Sequence, residues 1–438
     1  MIATPKRASP VPAEGSLAYT LFHAAGILAA VIGGRTLDAA LAAQKPSATA
    51  RPAVMDVCYG ALRNFGRGDF LIRALVAKPL DEPWIRGLLL AAVQRLEAAP
   101  DQAHTVVDQA VEVAAVWRGG RFKGFVNGVL RNFQRRRAAL LSAADADEVA
   151  CRRHPGWWIE AIRSAHPQHW ESVLEAGNTR PPMTLRVNRR RTDAAAYRQA
   201  LAAAGIEARG LGDGAMLLAR PVPVERLPGF SAGDCSVQDW GAQHAAVLLD
   251  VRAGQRVLDA CAAPGGKTAH LLECCDGLEL LALDADATRA RRIAENLVRL
   301  HLSATVKAVD CRQVGAWWDG RPFDRILADV PCSASGVVRR HPDAKWLRRV
   351  ADVSGFAATQ AGILDALWPL LAPGGKMLYC TCSVFPEENG EQVAAFVARH
   401  PDARRLPTGG SNNELNFLPC ADHDGFYYAL LAKAAVAA

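Results

Sequence analysis

The chain reads as an α/β protein in three parts: an all-α bundle, a small α+β module and a Rossmann-like, doubly wound domain. Three observations predict this. Apolar residues recur at helical spacing through 16–140 with no alternating stretch. From residue 236 onward, short apolar runs alternate with helical segments, the pattern of strands joined by crossover helices. Between them, 150–235 mixes helical periodicity with a strand-like run and Pro-rich breaks. A chain of 438 residues suits about three domains. The expected bounds are 16–143, 144–235 and 236–438, behind a disordered tail at 1–15 that carries Pro5, Pro10 and Pro12.

In the first part, helices are expected over 17–43, 54–65, 70–77, 84–98, 106–117 and, after Gly119-Gly120, 122–141. The stretch 17–32 is apolar enough to suggest a membrane span or a signal peptide. It is short, contains His23, and sets Leu17, Leu21, Leu28 and Ile32 on one stripe, which points to a core helix. In the middle part, helices are expected over 157–165, 170–176 and 193–204, with a strand over 183–188. In the last part, strands are expected over 256–261, 278–284, 305–310, 323–329, 376–380 and 426–431, and helices over 288–300, 357–371 and 386–400. These strands are expected to form a parallel sheet with a ligand site at their carboxyl ends.

Composition narrows the function. Half the residues are hydrophobic and 22% charged, which excludes disordered and disulfide-scaffold classes. Residues 1–235 carry 30 Lys/Arg against 21 Asp/Glu, whereas 236–438 carry 21 against 23, so a basic half precedes a balanced one. That division suits a polyanion-holding region beside a catalytic one. Eleven cysteines without any C-x-x-C pair argue against a structural metal and for a reducing cytosol.

Four constellations carry chemistry. The first runs from Val257 through Asp259 and Cys261-Ala262-Ala263-Pro264-Gly265-Gly266-Lys267-Thr268, after a strand and before a helix. Its glycines permit close backbone approach, and the helix start offers free N–H groups. Asp284 and Asp310 end the next two strands, placed for ribose hydroxyls and an adenine amino group. No phosphate-binding apparatus follows, so a nucleoside cofactor without a polyphosphate fits, S-adenosylmethionine foremost. A P-loop is disfavoured because Cys261 stands where its first Gly belongs. The glycines alone would also suit a turn in any α/β sheet. The second constellation is Asp329-Val-Pro-Cys332, an acid and a thiol at a strand end, followed by the basic stretch Arg339, Arg340, Lys345 and Trp346, suited to a nucleic-acid backbone and a base face or to a solvated helix. The third is Cys380-Thr-Cys382 before an expected helix start at Pro386, where a thiolate is favoured; Cys380, inside the strand, is expected in the core. The fourth is Arg131, Arg135, Arg136 and Arg137, a phosphate-binding face or a solvated helix end.

Residues 251–433 resemble the catalytic domain of RNA cytosine-5 methyltransferases of the NOL1/NOP2/Sun family. The resemblance rests on the strings at 261–268, 329–346 and 379–389, with Val330 where Ala is more usual. Residues 16–140 are similar to the RNA-binding NusB family through 57–63 and 124–131. Joined through 178–188, the two resemble bacterial 16S rRNA cytosine-5 methyltransferases. The resemblance implies that residues 261–267 wrap the cofactor's methionine end, Asp284 takes its ribose and Asp310 its adenine. Asp329 would serve both cofactor and target base, Cys382 would attack carbon 6, and Cys332 would act in product release. It further implies a cytoplasmic monomer acting on 16S rRNA, unassembled or partly assembled, without metal or membrane. The alternatives are another RNA, such as tRNA or 23S rRNA, and a non-catalytic antitermination factor.

Overall fold

The computed structural model describes residues 11–435, and the chain divides into two compact units. One holds the residues up to Ser164 together with Gly177–Thr179 and Val338–Arg348; the other holds Ala165–Ala176, Arg180–Val337 and the chain from Arg349. Most of the expected tail at 1–15 lies outside the described residues.

The first unit is helical: α1 (Leu17–Ile32), α2 (Leu37–Gln44), α3 (Arg51–Arg63), α4 (Phe65–Leu75), α5 (Pro83–Ala98), α6 (Ala103–Val116), α7 (Lys123–Ala146), α8 (Glu148–Arg152) and α9 (Gly156–Ala165). Ser16 starts α1, its hydroxyl accepting from the Tyr19 N–H at 3.0 Å. The single helix expected over 17–43 is two, because Gly33-Gly34 ends the first and Thr36 caps the second. Leu21 and Leu28 are buried in one cluster with Leu88 and Leu89 of α5, so the apolar stretch is a core helix. No helix among the described residues is long and apolar enough to cross a membrane.

In the second unit, α10 (Trp170–Asn178), whose last residues belong to the first unit, precedes a small antiparallel sheet. Its strands are β1 (Thr184–Val187), β2 (Ala208–Gly212), β3 (Ala215–Leu218) and β4 (Cys235–Val237), in the order β2-β3-β1-β4, with α11 (Ala194–Ala203) between β1 and β2. Tyr197 and Leu201 of α11 pack on Leu185 and Val187. Arg186 of β1 is buried, paired with Glu273 through two bonds of 2.7 and 2.8 Å, and also donates to the Gly266 carbonyl at 2.9 Å.

The main sheet follows α12 (Trp240–Leu249). Its elements are β5 (Arg256–Asp259), α13 (Gly266–Cys274), β6 (Glu279–Asp284), α14 (Ala287–Arg299), β7 (Thr305–Ala308), β8 (Phe323–Asp329), α15 (Ala344–Leu347), α16 (Val350–Leu367), β9 (Leu371–Thr381), α17 (Gly390–Arg399), β10 (Ala403–Leu406), β11 (Glu414–Phe417) and β12 (Phe426–Lys433). The strand order is β10-β12-β9-β8-β5-β6-β7, with β11 also on β12. Strands β5 to β9 are parallel, but β12 runs antiparallel to β9, and β10 and β11 antiparallel to β12. The all-parallel expectation is thus corrected at one edge: β12 follows α17, β10 and β11 in the chain and runs back antiparallel between β9 and β10.

Candidate active site

Parallel register brings the carboxyl ends of β5, β6, β8 and β9 to one side. Asp259 opens a loop that runs through Cys261–Gly265 into α13. Gly265 has φ +97°, and a Cβ there would stand 3.1 Å from the Ile293 Cα, so the turn requires glycine. Asp284, 5% exposed at the end of β6, accepts from the N–H groups of Ala263 at 3.2 Å and Asp286 at 3.0 Å. Asp310 lies two residues beyond β7 and pairs with Arg312 at 2.6 Å, which lowers its proton affinity. Cys261 sits beside Cys311, which together with burial pushes its thiol up.

Asp329, at the end of β8, receives the Lys267 ammonium at 2.5 Å on one oxygen and the Cys380 thiol at 3.4 Å on the other. Burial opposes the charge on Lys267, but Asp329 outweighs it and holds the ammonium protonated. Cys380 is fully buried, as expected of a core thiol. The Asp259 carboxyl is buried too, bonded by the Thr268 hydroxyl at 2.6 Å, and burial pushes it up to about 7. Unfolded, it ionises near 3.8. Between those values the folded state binds the extra proton, so the Asp259 contribution is complete below pH 3.8 and is lost as pH rises toward 7. In denaturant titrations, the stability of wild type relative to Asp259→Asn should therefore fall between pH 4 and 7. A pH-independent difference would refute this.

Cys332 and Cys382 face each other, sulfur to sulfur, at 3.3 Å. The neighbouring Cys382 sulfur and burial push the Cys332 thiol up, so Cys332 keeps its proton. Their loops are joined directly. The Gly336 N–H donates to the Cys382 carbonyl at 2.8 Å, and the Gly425 N–H to the Gly336 carbonyl at 2.8 Å. A Cβ on Gly336 would stand 2.6 Å from the Gly425 carbonyl oxygen and 2.9 Å from the Cys382 carbonyl oxygen, so the approach requires glycine. One expectation is corrected. Pro386–Glu388 is a single 3₁₀ turn and α17 begins only at Gly390, too far for a helix N-terminus to act on Cys382.

The basic stretch after Cys332 is a second correction. Arg339 and Lys345, expected to meet RNA, are 1% and 0% exposed within the helical unit. Lys345 donates to the Arg63 carbonyl at 3.1 Å and to the Asn178 side-chain oxygen at 2.7 Å; burial, with Arg153 and Arg63 nearby, holds its proton affinity well below the usual lysine range. Trp346 donates to the Leu62 carbonyl at 2.9 Å and lies 4.9 Å from the Phe65 ring. An enclosed ammonium cannot offer itself to a phosphate. Arg340 is half-buried. On α7, by contrast, Arg131, Arg135 and Arg136 are exposed and Arg137 half-buried. Arg131 and Arg135, with His104, Asp108, Asn127 and Gln134, line a cavity of about 600 Å³. Glu388, Ser333 and Ser383, which surround the thiol pair, have no sequence signal beyond the acid five residues behind Ser383.

Comparison with known proteins agrees with this layout. A family model described as 16S rRNA methyltransferase RsmB/F matches residues 246–432. The ferredoxin-like domain of the same methyltransferases matches 154–225, and the NusB family 23–135. The ribosomal RNA small subunit methyltransferase B of Vibrio cholerae is 42% identical over 407 residues, covering 91% of this chain and 94% of that protein. Its counterpart in Pseudomonas putida is 43% identical over 427 residues, covering 94% and 98%. The crystal structure of PH0851 has the same fold, with a TM-score of 0.77 at 22% identity over 94% of this chain and 99% of that one. On this evidence the chain belongs to the ribosomal RNA small subunit methyltransferase B family.

Proposed function

We propose that this protein transfers a methyl group from S-adenosylmethionine to carbon 5 of a cytosine in 16S rRNA, through a covalent bond between Cys382 and carbon 6. The observation that carries the reading is the thiol pair, 3.3 Å apart beside strand ends that also carry the Asp329–Lys267 pair. The residues fit the methyl donor. Asp284 retains acceptor capacity beyond its two backbone bonds, and Asp259 Oδ1 is a buried acceptor with no protein partner. When bound, S-adenosylmethionine supplies an electrophilic methyl carbon on a sulfonium.

Carbon 5 of cytosine is too weak a nucleophile to attack that methyl unaided. Addition of the Cys382 thiolate to carbon 6 makes carbon 5 enamine-like. Asp329, with the Lys267 Nζ 2.5 Å away, shares a proton with N3 and relieves charge on the ring. After transfer a water molecule takes the carbon-5 proton, the freed electron pair restores the 5,6 double bond, and Cys382 departs from carbon 6 as a thiolate. Cys332 retains its proton within reach of the departing sulfur, which suits it to that stage. Asp310 is placed for the adenine, and the exposed Arg131, Arg135 and Arg136, with half-buried Arg137, for rRNA phosphates. We place the enzyme in the cytoplasm as a monomer acting before the small subunit is complete.

Bisulfite mapping of rRNA from a strain lacking this gene tests the reading. One 16S cytosine should lose its protection, regained with the wild-type gene and not with Cys382→Ala. A protected 16S rRNA in the deletion strain, or a lost site in tRNA or 23S rRNA, would overturn it.

Two narrower results are expected. Asp284→Ala should weaken S-adenosylmethionine binding by about 1.5–3 kcal/mol, the range for hydrogen bonds to a charged acceptor, as read by calorimetry on folded protein. Unchanged affinity would displace the ribose from Asp284. Neutralising Arg135, Arg136 and Arg137 should flatten the salt dependence of RNA binding by up to about 0.7 in log–log slope per lost contact. An unaltered slope would make these arginines a solvated helix face.

A further inference from the structure

Glu388 is fully buried just behind the two thiols. One carboxylate oxygen accepts from the Ser333 N–H at 2.8 Å and the Gln360 amide at 3.0 Å. The other accepts from the Ser333 and Ser383 hydroxyls, each at 2.5 Å. Ser333 follows Cys332, and Ser383 follows Cys382. Gln360 in turn donates to the carbonyl of Pro331, the residue before Cys332, at 3.0 Å. The Ser335 hydroxyl lies 3.0 Å from that of Ser383 and receives the Val384 N–H at 2.8 Å. The chain on both sides of Cys332, and the chain after Cys382, thus meet at one carboxylate.

We propose that Glu388 is a positioning residue for the methyl transfer, setting the gap between Cys332 and Cys382 by binding both of their loops at once. Two features favour this over a purely structural role. Burying a carboxylate is expensive in free energy, and an apolar residue would fill the same space without that penalty. Instead, four donors fill its acceptor sites, three of them from residues directly adjoining the thiols. The Cys382 sulfur and burial push the Cys332 thiol up, and the Glu388 charge adds to that in the same direction. The inference rests on the roles given above to Cys382 and Cys332.

The test separates geometry from fold. In Glu388→Ala, kcat on a 16S rRNA transcript should fall about a hundredfold, as expected of a misplacement near 1 Å. KM for the transcript and affinity for S-adenosylmethionine should stay at wild-type values. Glu388→Gln, which keeps an acceptor oxygen and can still bond both hydroxyls, should recover at least a tenth of wild-type kcat. An unchanged kcat in folded Glu388→Ala would overturn the proposal, and so would a loss confined to KM or cofactor affinity. If Glu388→Ala does not fold, Ser333→Ala and Ser383→Ala replace it: each should lower kcat, and the double variant should lose less than the product of the two losses. Wild-type kcat in both would overturn it.

A second readout does not depend on which thiol attacks. Diamide takes up the two protons and two electrons that Cys332 and Cys382 release on forming a disulfide. That reaction, followed by mass spectrometry, should be at least tenfold slower in Glu388→Ala. An unchanged rate refutes the positioning role even if the assigned roles of the cysteines fail. A slowed rate with no adduct in Cys332→Ala leaves Glu388 positioning the pair and removes only those assigned roles.

Discussion

Cys332→Ala accumulates a covalent RNA–protein adduct that survives a denaturing gel, whereas Cys382→Ala forms none and loses activity by a factor on the order of 10³ or more. The asymmetry follows from the site. The two sulfurs are 3.3 Å apart, so position alone does not choose between them. The expected difference rests on the proposed roles: the neighbouring sulfur and burial push the Cys332 thiol up, which suits it less to attack. Removing Cys332 leaves the attack intact and withdraws the group beside the departing sulfur, so the adduct persists. An adduct in Cys382→Ala and none in Cys332→Ala would exchange the roles. Turnover surviving in Cys382→Ala would remove it from covalent chemistry.

Trp346→Ala destabilises the helical unit by about 3 kcal/mol, the lower end for truncating a packed tryptophan. It removes the Phe65 ring contact and leaves the Leu62 carbonyl without its indole donor. Hydrogen exchange in α3 and α4 should quicken accordingly. Lys345→Ala adds a second test, because it strips the Arg63 carbonyl and Asn178 of a donor. Both variants should leave the salt slope of RNA binding unchanged. A flattened slope in Lys345→Ala would return that side chain to the RNA-binding surface.

The contrast between these regions explains what could be read in advance. Helices such as α1 and α5 were legible because each carries apolar residues at helical spacing, and the fold buries that face. Strands β2 and β3 were not, because Gly210, Gly212 and Gly214 interrupt any alternation and much of β2 is exposed. A single apolar run such as β12 reads the same in either direction, so its antiparallel pairing with β9 was invisible. Helix α12 was not legible because its polar residues, Gln243 and His244, adjoin within a largely apolar run and set no helical stripe. In the site, Asp259, Asp329 and both cysteines stand at or just beyond strand ends and Lys267 in the first turn of the helix after β5, where topology brings them together. Lys345 misled because a basic stretch with an aromatic looks the same whether it grips RNA or fills a core. Glu388 was silent because its partners lie in two loops and in α16, one loop being 55 residues away in sequence.

The placement of Val338–Arg348 in the helical unit has a consequence for the order in which the protein can form. Trp346 lies 284 residues after the Leu62 carbonyl it binds, and Asp343, whose side chain accepts from the Leu37 N–H, lies 306 residues after it. A ribosome adding roughly 5–20 residues per second exposes α3 some 15–60 s before Trp346 leaves the tunnel. Throughout that interval the first unit to emerge stays incomplete, and it presents an unfilled apolar face to whatever holds nascent chains. A transcript cut short anywhere before codon 346 therefore yields a chain defective at its beginning as well as its end.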